Sequence, residues 1–159
     1  MNLYMKQKVF SIGDKFNIYD SAGNPKYTVE GEVFSLGKKL HLYDLAGNEL
    51  AFIHQKLFTW LPKYYISRPG YADVEVIKEF SFFHPRYSVP LLGWEIGGDF
   101  WDHDYEITQN GKTIASVSKE WLTWGDAYQI NIGSYEDEIT ALAVVLVIDA
   151  CIEAQQRNN

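Results

Sequence analysis

A chain of 159 residues with a formal charge of −7 and one cysteine suits a single domain, residues 1–159, built without a disulfide framework or a cysteine-based zinc cage. The acidic balance excludes a general nucleic-acid surface, whose affinity comes from neutralising phosphates. It also counts against broad adsorption to anionic membranes, leaving only a local basic patch as a route to them.

Met1 to Phe10 contains no apolar run of the signal-peptide kind. Short runs of period-two alternation follow, rich in aromatic and β-branched residues: Lys15–Tyr19, Lys39–Tyr43 and Tyr128–Ile132 are three of them. That period marks half-buried strands, and aromatics, at 16% of the chain, pack well on a pleated surface. Turn signals separate the runs: Ser21-Ala22-Gly23-Asn24-Pro25, Ala46-Gly47-Asn48, Arg68-Pro69-Gly70, Gly97-Gly98-Asp99 and Asn110-Gly111. Roughly twelve strands are predicted before residue 133, and many short, evenly spaced strands make a sandwich or a barrel.

The chain also repeats. Ile18-Tyr19-Asp20-Ser21-Ala22-Gly23-Asn24 returns 24 residues on as Leu42-Tyr43-Asp44-Leu45-Ala46-Gly47-Asn48, and Phe10-Ser11-Ile12-Gly13 returns as Phe34-Ser35-Leu36-Gly37. Leu57, Trp60, Pro62, Tyr64 and Ile66 recur at an offset of 23 as Phe80, Phe83, Pro85, Tyr87 and Val89. At an offset of 64 they recur as Trp121, Trp124, Tyr128 and Ile130, without the proline. These are hairpin units, each a strand, an aromatic corner and a strand.

The last segment is different in kind. Ser134 with Asp137 three residues on forms a capping box, and Glu136, Asp137 and Glu138 suit the positive end of a helix dipole. Ile139 to Cys151 is apolar on nearly every side, which predicts a helix over about 136–154 with a fraying polar tail. The charge-free stretch Ile139–Ile148 is too short for a membrane span, which needs about 20 residues. A helix apolar all round must be buried all round, and only a closed barrel covers it. The predicted fold is therefore mainly β, a closed antiparallel barrel around a central hydrophobic C-terminal helix. Its core includes Leu142, Val145, Leu146, Trp121 and Trp124.

The C-terminal third resembles the LURP-one-related proteins, including their bacterial YxjI branch. The residues that carry the likeness are Ala115-Ser116-Val117-Ser118-Lys119-Glu120-Trp121, then Trp124-Gly125-Asp126-Ala127-Tyr128-Gln129-Ile130, then Asp137-Glu138 and the apolar helix. The Ile107–Val117 hairpin and Gly93-Trp94-Glu95-Ile96 fit the same pattern, so the resemblance covers essentially the whole chain. It places the protein with tubby domains and phospholipid scramblases and implies a twelve-stranded barrel around a hydrophobic helix. The clustered Lys and Arg with which tubby domains hold phosphoinositides, and the cysteine-rich segment of scramblases, are absent from this sequence.

Candidate chemistry is sparse. Asp99, Asp102 and Asp104, with His103 among them, reach the oxygen-ligand density of a calcium site but match no dedicated loop. They read first as an acidic hairpin tip. His41, His54, His84 and His103 are spread along the chain, and His41 alternates with Leu40 and Leu42 as an outward strand residue. Cys151 sits on the apolar helix, where a buried thiol is inert. Trp60, Phe83 and Trp124 read as corner or core packing before a ligand pocket. Lys38 and Lys39 with Lys15, Lys56 and Lys63 would form a basic patch if the fold gathers them; otherwise they are solvated edge lysines. The sequence calls for no cofactor. It points to a non-enzymatic binding domain for a lipid headgroup or a protein partner, cytoplasmic or peripheral at the membrane. A scramblase-like membrane-surface protein is the alternative, and an enzyme with an unrecognised site is third.

Overall fold

The computed structural model describes residues 1–6, 15–122, 125–135 and 138–159. Twelve strands follow in chain order: β1 (Asn2–Lys6), β2 (Lys15–Tyr19), β3 (Pro25–Gly31), β4 (Lys39–Asp44), β5 (Glu49–Gln55) and β6 (Lys63–Ser67), then β7 (Val74–Glu79), β8 (Arg86–Val89), β9 (Trp94–Asp99), β10 (Asp104–Gln109), β11 (Lys112–Leu122) and β12 (Gly125–Ile132). One 3-10 turn, Pro90–Leu92, joins β8 to β9, and helix α1 (Glu138–Asn158) ends the chain. Each strand pairs antiparallel with its sequence neighbour, and β1 pairs with β12. The sheet is thus a closed barrel, as the strand count and the all-round apolar helix predict.

Alternation sets which side chains fill it. On β4, Leu40 and Leu42 are buried while His41 and Tyr43 lie on the outer face. Phe16 and Ile18 on β2, Tyr64 and Ile66 on β6, and Tyr128, Ile130 and Ile132 on β12 repeat the pattern. The inward set surrounds α1, whose residues from Ala141 to Ile152 are all buried, Leu142, Val145 and Leu146 at 1% exposure or less.

Two carboxylates on the buried helix have partners. Glu138 accepts hydrogen bonds from Lys26 Nζ at 2.7 Å and from the Tyr27 hydroxyl at 2.6 Å. Asp149 Oδ1 lies 3.4 Å from His103 Nε2. The polar tail, predicted to fray, is helical to Asn158: Glu153 is tied to Lys38 at 3.3 Å and to Arg157 one turn on. The predicted capping residues Glu136 and Asp137 lie outside the described residues.

Strict antiparallel order fixes two ends. The connections β3–β4, β5–β6, β7–β8 and β9–β10 gather at one end, called here the upper end. The connections β2–β3, β4–β5, β6–β7, β8–β9 and β10–β11 gather at the lower end, from which α1 enters the barrel to finish at the upper one.

Trp121, expected in the core, is 76% exposed. It shares strand parity with buried Val117, but so does exposed Lys119, because the β11–β12 hairpin outruns the barrel wall. Pairing of β11 with β10 stops at Val117 and that of β12 with β1 at Ala127, whereas Trp121 pairs with Asp126 beyond both. No helix lies behind it there. Trp124 lies outside the described residues.

Candidate binding surface

The lower end is made of tight polar turns. Asp20 Oδ1 accepts from the backbone N–H of Ala22 and of Asn24, each at 2.9 Å, and Asp44 Oδ1 accepts from Asn48 at the same distance. Gly23 and Gly47 take φ of 83° and 86° in the matching positions, a conformation side chains resist. The repeat at an offset of 24 is therefore one turn built twice. Leu45, Tyr71, Leu91 and Tyr135 are exposed at this end, each on a separate connection.

The upper end is apolar. Phe34 and Leu36 stand out from the β3–β4 loop, Phe58 and Trp60 from the β5–β6 loop, and Phe80, Phe82 and Phe83 from the β7–β8 loop. Trp101 on the β9–β10 corner and Trp121 continue the series. Phe34 and Phe58 are as open to solvent as a side chain can be, and Trp60 is 90% exposed. Trp60 and Phe83, read from sequence as corner or core packing, are corners only: the matching Tyr64 and Tyr87 turn inward, but the loops carry these two rings out of the barrel.

Local contacts knit three of the loops together. A Cβ on Gly37 would lie 2.8 Å from Leu57 Cδ2, so glycine lets the β3–β4 loop rest on the next one. Lys38 N–H donates to Gln55 Oε1 at 3.1 Å, and Gln55 N–H donates to the Lys38 carbonyl at 2.9 Å. Trp60 and Phe80 have ring centroids 6.2 Å apart, and Phe80 meets Phe82 edge-on at 4.9 Å. Phe58 takes a φ of 58°, rare for a bulky residue, in holding its ring in solvent.

The fold gathers four of the five lysines grouped from sequence. Lys38 and Lys39 begin β4, Lys56 follows β5 and Lys63 begins β6, with Lys56 N–H donating to the Lys63 carbonyl at 2.8 Å. Lys78 and Arg86 extend the series at the upper ends of β7 and β8. Lys15 begins β2, also at the upper end but two strands away from β4, and lies 2.8 Å from Glu30, whose hydrogen bond and charge raise its pKa. Lys38 and Lys63 also have carboxylate neighbours, Glu153 at 3.3 Å and Glu75 at 3.6 Å.

The acidic segment is a turn. Asp99 Oδ1 accepts from the backbone N–H groups of Trp101 and Asp102, both at 3.1 Å. Among the described residues, no three His, Cys, Asp or Glu side chains converge as metal ligands. His103, at a φ of 53°, turns inward instead, stacks on Tyr128 at 4.0 Å between centroids and reaches Asp149. Sequence reasoning missed this pair, although an aspartate inside an otherwise apolar helix was the signal that a partner was required. Asp149 Oδ2 is buried without a hydrogen bond.

The other histidines stay on the outside. His41, Phe52, His54 and Tyr65 form a ladder of rings across β4, β5 and β6, with successive centroids 4.7, 4.9 and 5.2 Å apart. Partial burial pulls the His41 pKa down, but its hydrogen bonds to Glu49 and Glu32 outweigh that and hold it above 6.5. Burial pushes the Cys151 thiol up to about 12, which keeps it protonated and unreactive at neutral pH. Beside the rim, an open cleft of about 700 Å³ runs between Phe83, Arg86, Gly97, Phe100 and Trp101.

The fold defines the class: a closed, twelve-stranded antiparallel barrel threaded by its C-terminal helix. A family model described as LURP-one-related matches residues 1–149. Over 149 residues the chain is 42% identical to the uncharacterized protein YxjI of Bacillus subtilis (strain 168), covering 94% of this chain and 92% of that one. It also shares the fold of a solved Arabidopsis thaliana protein, with a TM-score of 0.60 at 15% identity over 91% of this chain and 88% of the other. The chain belongs to the LURP-one-related family. Among the described residues no helix is long and apolar enough to cross a membrane.

Proposed function

We propose that this protein is a non-enzymatic binding domain that engages its partner through the upper end of the barrel. One observation carries this reading: exposed rings on successive loops crowd that end, with Trp60, Phe80 and Phe82 in contact and Phe34, Phe58 and Phe83 standing out on the same loops, whereas exposed apolar residues at the other end come one to a connection. Soluble surfaces seldom leave such a rim open unless something covers it. The buried polar groups serve the scaffold: Glu138 anchors the helix at its first turn and Asp149 near its middle, and Cys151 is a protonated core thiol.

The test is a photoreactive phenylalanine analogue placed at Phe58 or Trp60, and in parallel at Leu45 or Leu91, in cells that make the protein. Adducts, whether lipid or protein, are expected from the upper positions and not from the lower ones. Adducts equal at both ends, or absent from the upper end, would sink the proposal.

A further inference from the structure

We infer that the partner of the upper rim is an anionic bilayer surface, into which the β3–β4, β5–β6 and β7–β8 loops insert with the barrel axis upright. This rests on the reading of the upper end as the binding surface, and narrows it to one chemistry.

Three observations point to a bilayer. The first is shape. Phe34, Phe58, Trp60, Phe82 and Phe83 sit on the tips of three successive loops and are each exposed by more than four-fifths. A protein partner would need a separate pocket for each such point, because protein interfaces are packed as closely as interiors. The interfacial zone of a bilayer accepts any outline, and Trp, Phe and Leu are the side chains that partition there.

The second is the place of the cations. Lys38, Lys39, Lys56, Lys63, Lys78 and Arg86 all lie at the upper strand ends, just behind the apolar tips. Lysines at that depth sit level with headgroup phosphates while their stems follow the apolar surface. Glu32 and Glu79 are the acids of the same loops, and Glu75 and Glu153 already pair with Lys63 and Lys38.

The third is the direction of the charge as a whole. The lower end holds Asp20, Asp44, Glu49, Asp73, Glu95 and Glu138 against Lys26, Arg68 and Lys112. These groups leave the lower end with a charge of −3, out of −7 for the whole chain. An anionic surface repels the lower end and turns the rim towards itself. Asp99, Asp102 and Asp104 sit on the β9–β10 corner, which keeps that corner out of the contact and centres it on β4–β8.

The test is sedimentation with vesicles of phosphatidylcholine, alone or mixed with phosphatidylglycerol, at low and high salt, with tryptophan emission followed in parallel. Binding is expected only to the mixed vesicles, weakened by salt, with a blue-shifted emission that Trp60→Phe reduces. Phe58→Ser and Trp60→Ser should each weaken binding about tenfold. Lys39→Gln and Lys56→Gln should each weaken it about fivefold. Leu45→Ser and Leu91→Ser, at the other end, should leave it unchanged. Absence of binding to mixed vesicles, or equal losses from substitutions at the two ends, overturns the inference. If vesicles fail while the photoreactive probe at Phe58 still gives adducts to a protein, the bilayer is wrong and the binding surface stands. If both fail, both fall.

Discussion

The two ends of this barrel are closed by loops of opposite chemistry, mostly shorter at the lower end than at the upper. At the lower end, the Asp20 and Asp44 side chains satisfy backbone N–H groups of the β2–β3 and β4–β5 turns within the turns themselves, beside left-handed glycines. At the upper end the loops spend their side chains on rings that cover nothing in the fold. The lower end thus satisfies itself, whereas the upper end leaves its rings to solvent, which is why the proposed binding surface is assigned there. The difference teaches that apolar content alone does not assign a residue to the core: Tyr64 and Trp60 belong to one repeat unit, and the first is buried while the second is solvent-exposed.

Several substitutions would sharpen that contrast. The largest effect belongs to the shared interior. Val145→Asp places an unpaired charge in the middle of the barrel, at a cost of several kcal/mol, and is expected to abolish cooperative thermal unfolding by circular dichroism. A parent-like melt would remove the central helix from the account.

Next comes Gly98→Ala on β9. At a φ of 140° an added Cβ would meet the Asp104 carbonyl oxygen at 2.5 Å and Tyr105 Cα at 2.6 Å, both backbone. A loss of about 3 kcal/mol is expected in urea denaturation. Asp20→Ala, which removes two hydrogen bonds from a lower turn, should cost about 1 kcal/mol in the same assay.

His41→Gln tests the outer face. Because its pKa is raised in the folded state, the stabilisation it gives through Glu32 and Glu49 is fully present below the unfolded pKa of about 6.5 and is lost as pH rises through the folded value. The melting-temperature gap between parent and variant should be larger at about pH 5.5 than at about pH 8.5. An equal gap at both would mean the pair contributes nothing.

The smallest effect on stability is expected at the upper rim. Phe58→Ser combined with Trp60→Ser should change the unfolding free energy by no more than about 0.5 kcal/mol. A large loss would show that these rings hold the fold together and would undercut the binding surface.

Much of the architecture was legible in the chain. Period-two alternation gave strands such as Lys15–Tyr19 and Lys39–Asp44 almost to the residue. The all-round apolar segment required a closed sheet, since no open one could cover it. The candidate surface was legible only in pieces. Lys38, Lys39, Lys56 and Lys63 were singled out without a reason for their meeting, while Trp121 was assigned to the core and Trp60 and Phe83 to corner or core packing because of their matching places in the repeats. Phe58 and Phe82 carried no signal, as an isolated loop aromatic looks like any other, and Phe34 showed only its place in a repeat.

What the sequence determined by itself is the inside: which faces of the strands are apolar, that the last helix must be enclosed, and that the turns at Asp20 and Asp44 are one motif. These follow from local periodicity and turn chemistry, which act over a few residues. Tertiary structure decided the outside. Closure of β1 on β12 and strict antiparallel order sent alternate loops to opposite ends, which brought the exposed rings together and the lysines behind them. It also set His103 against Asp149, from 46 residues away in the chain. Whether an aromatic residue is core or surface depends on how far the barrel wall reaches behind it, and wall height is set by the pairing of neighbouring strands.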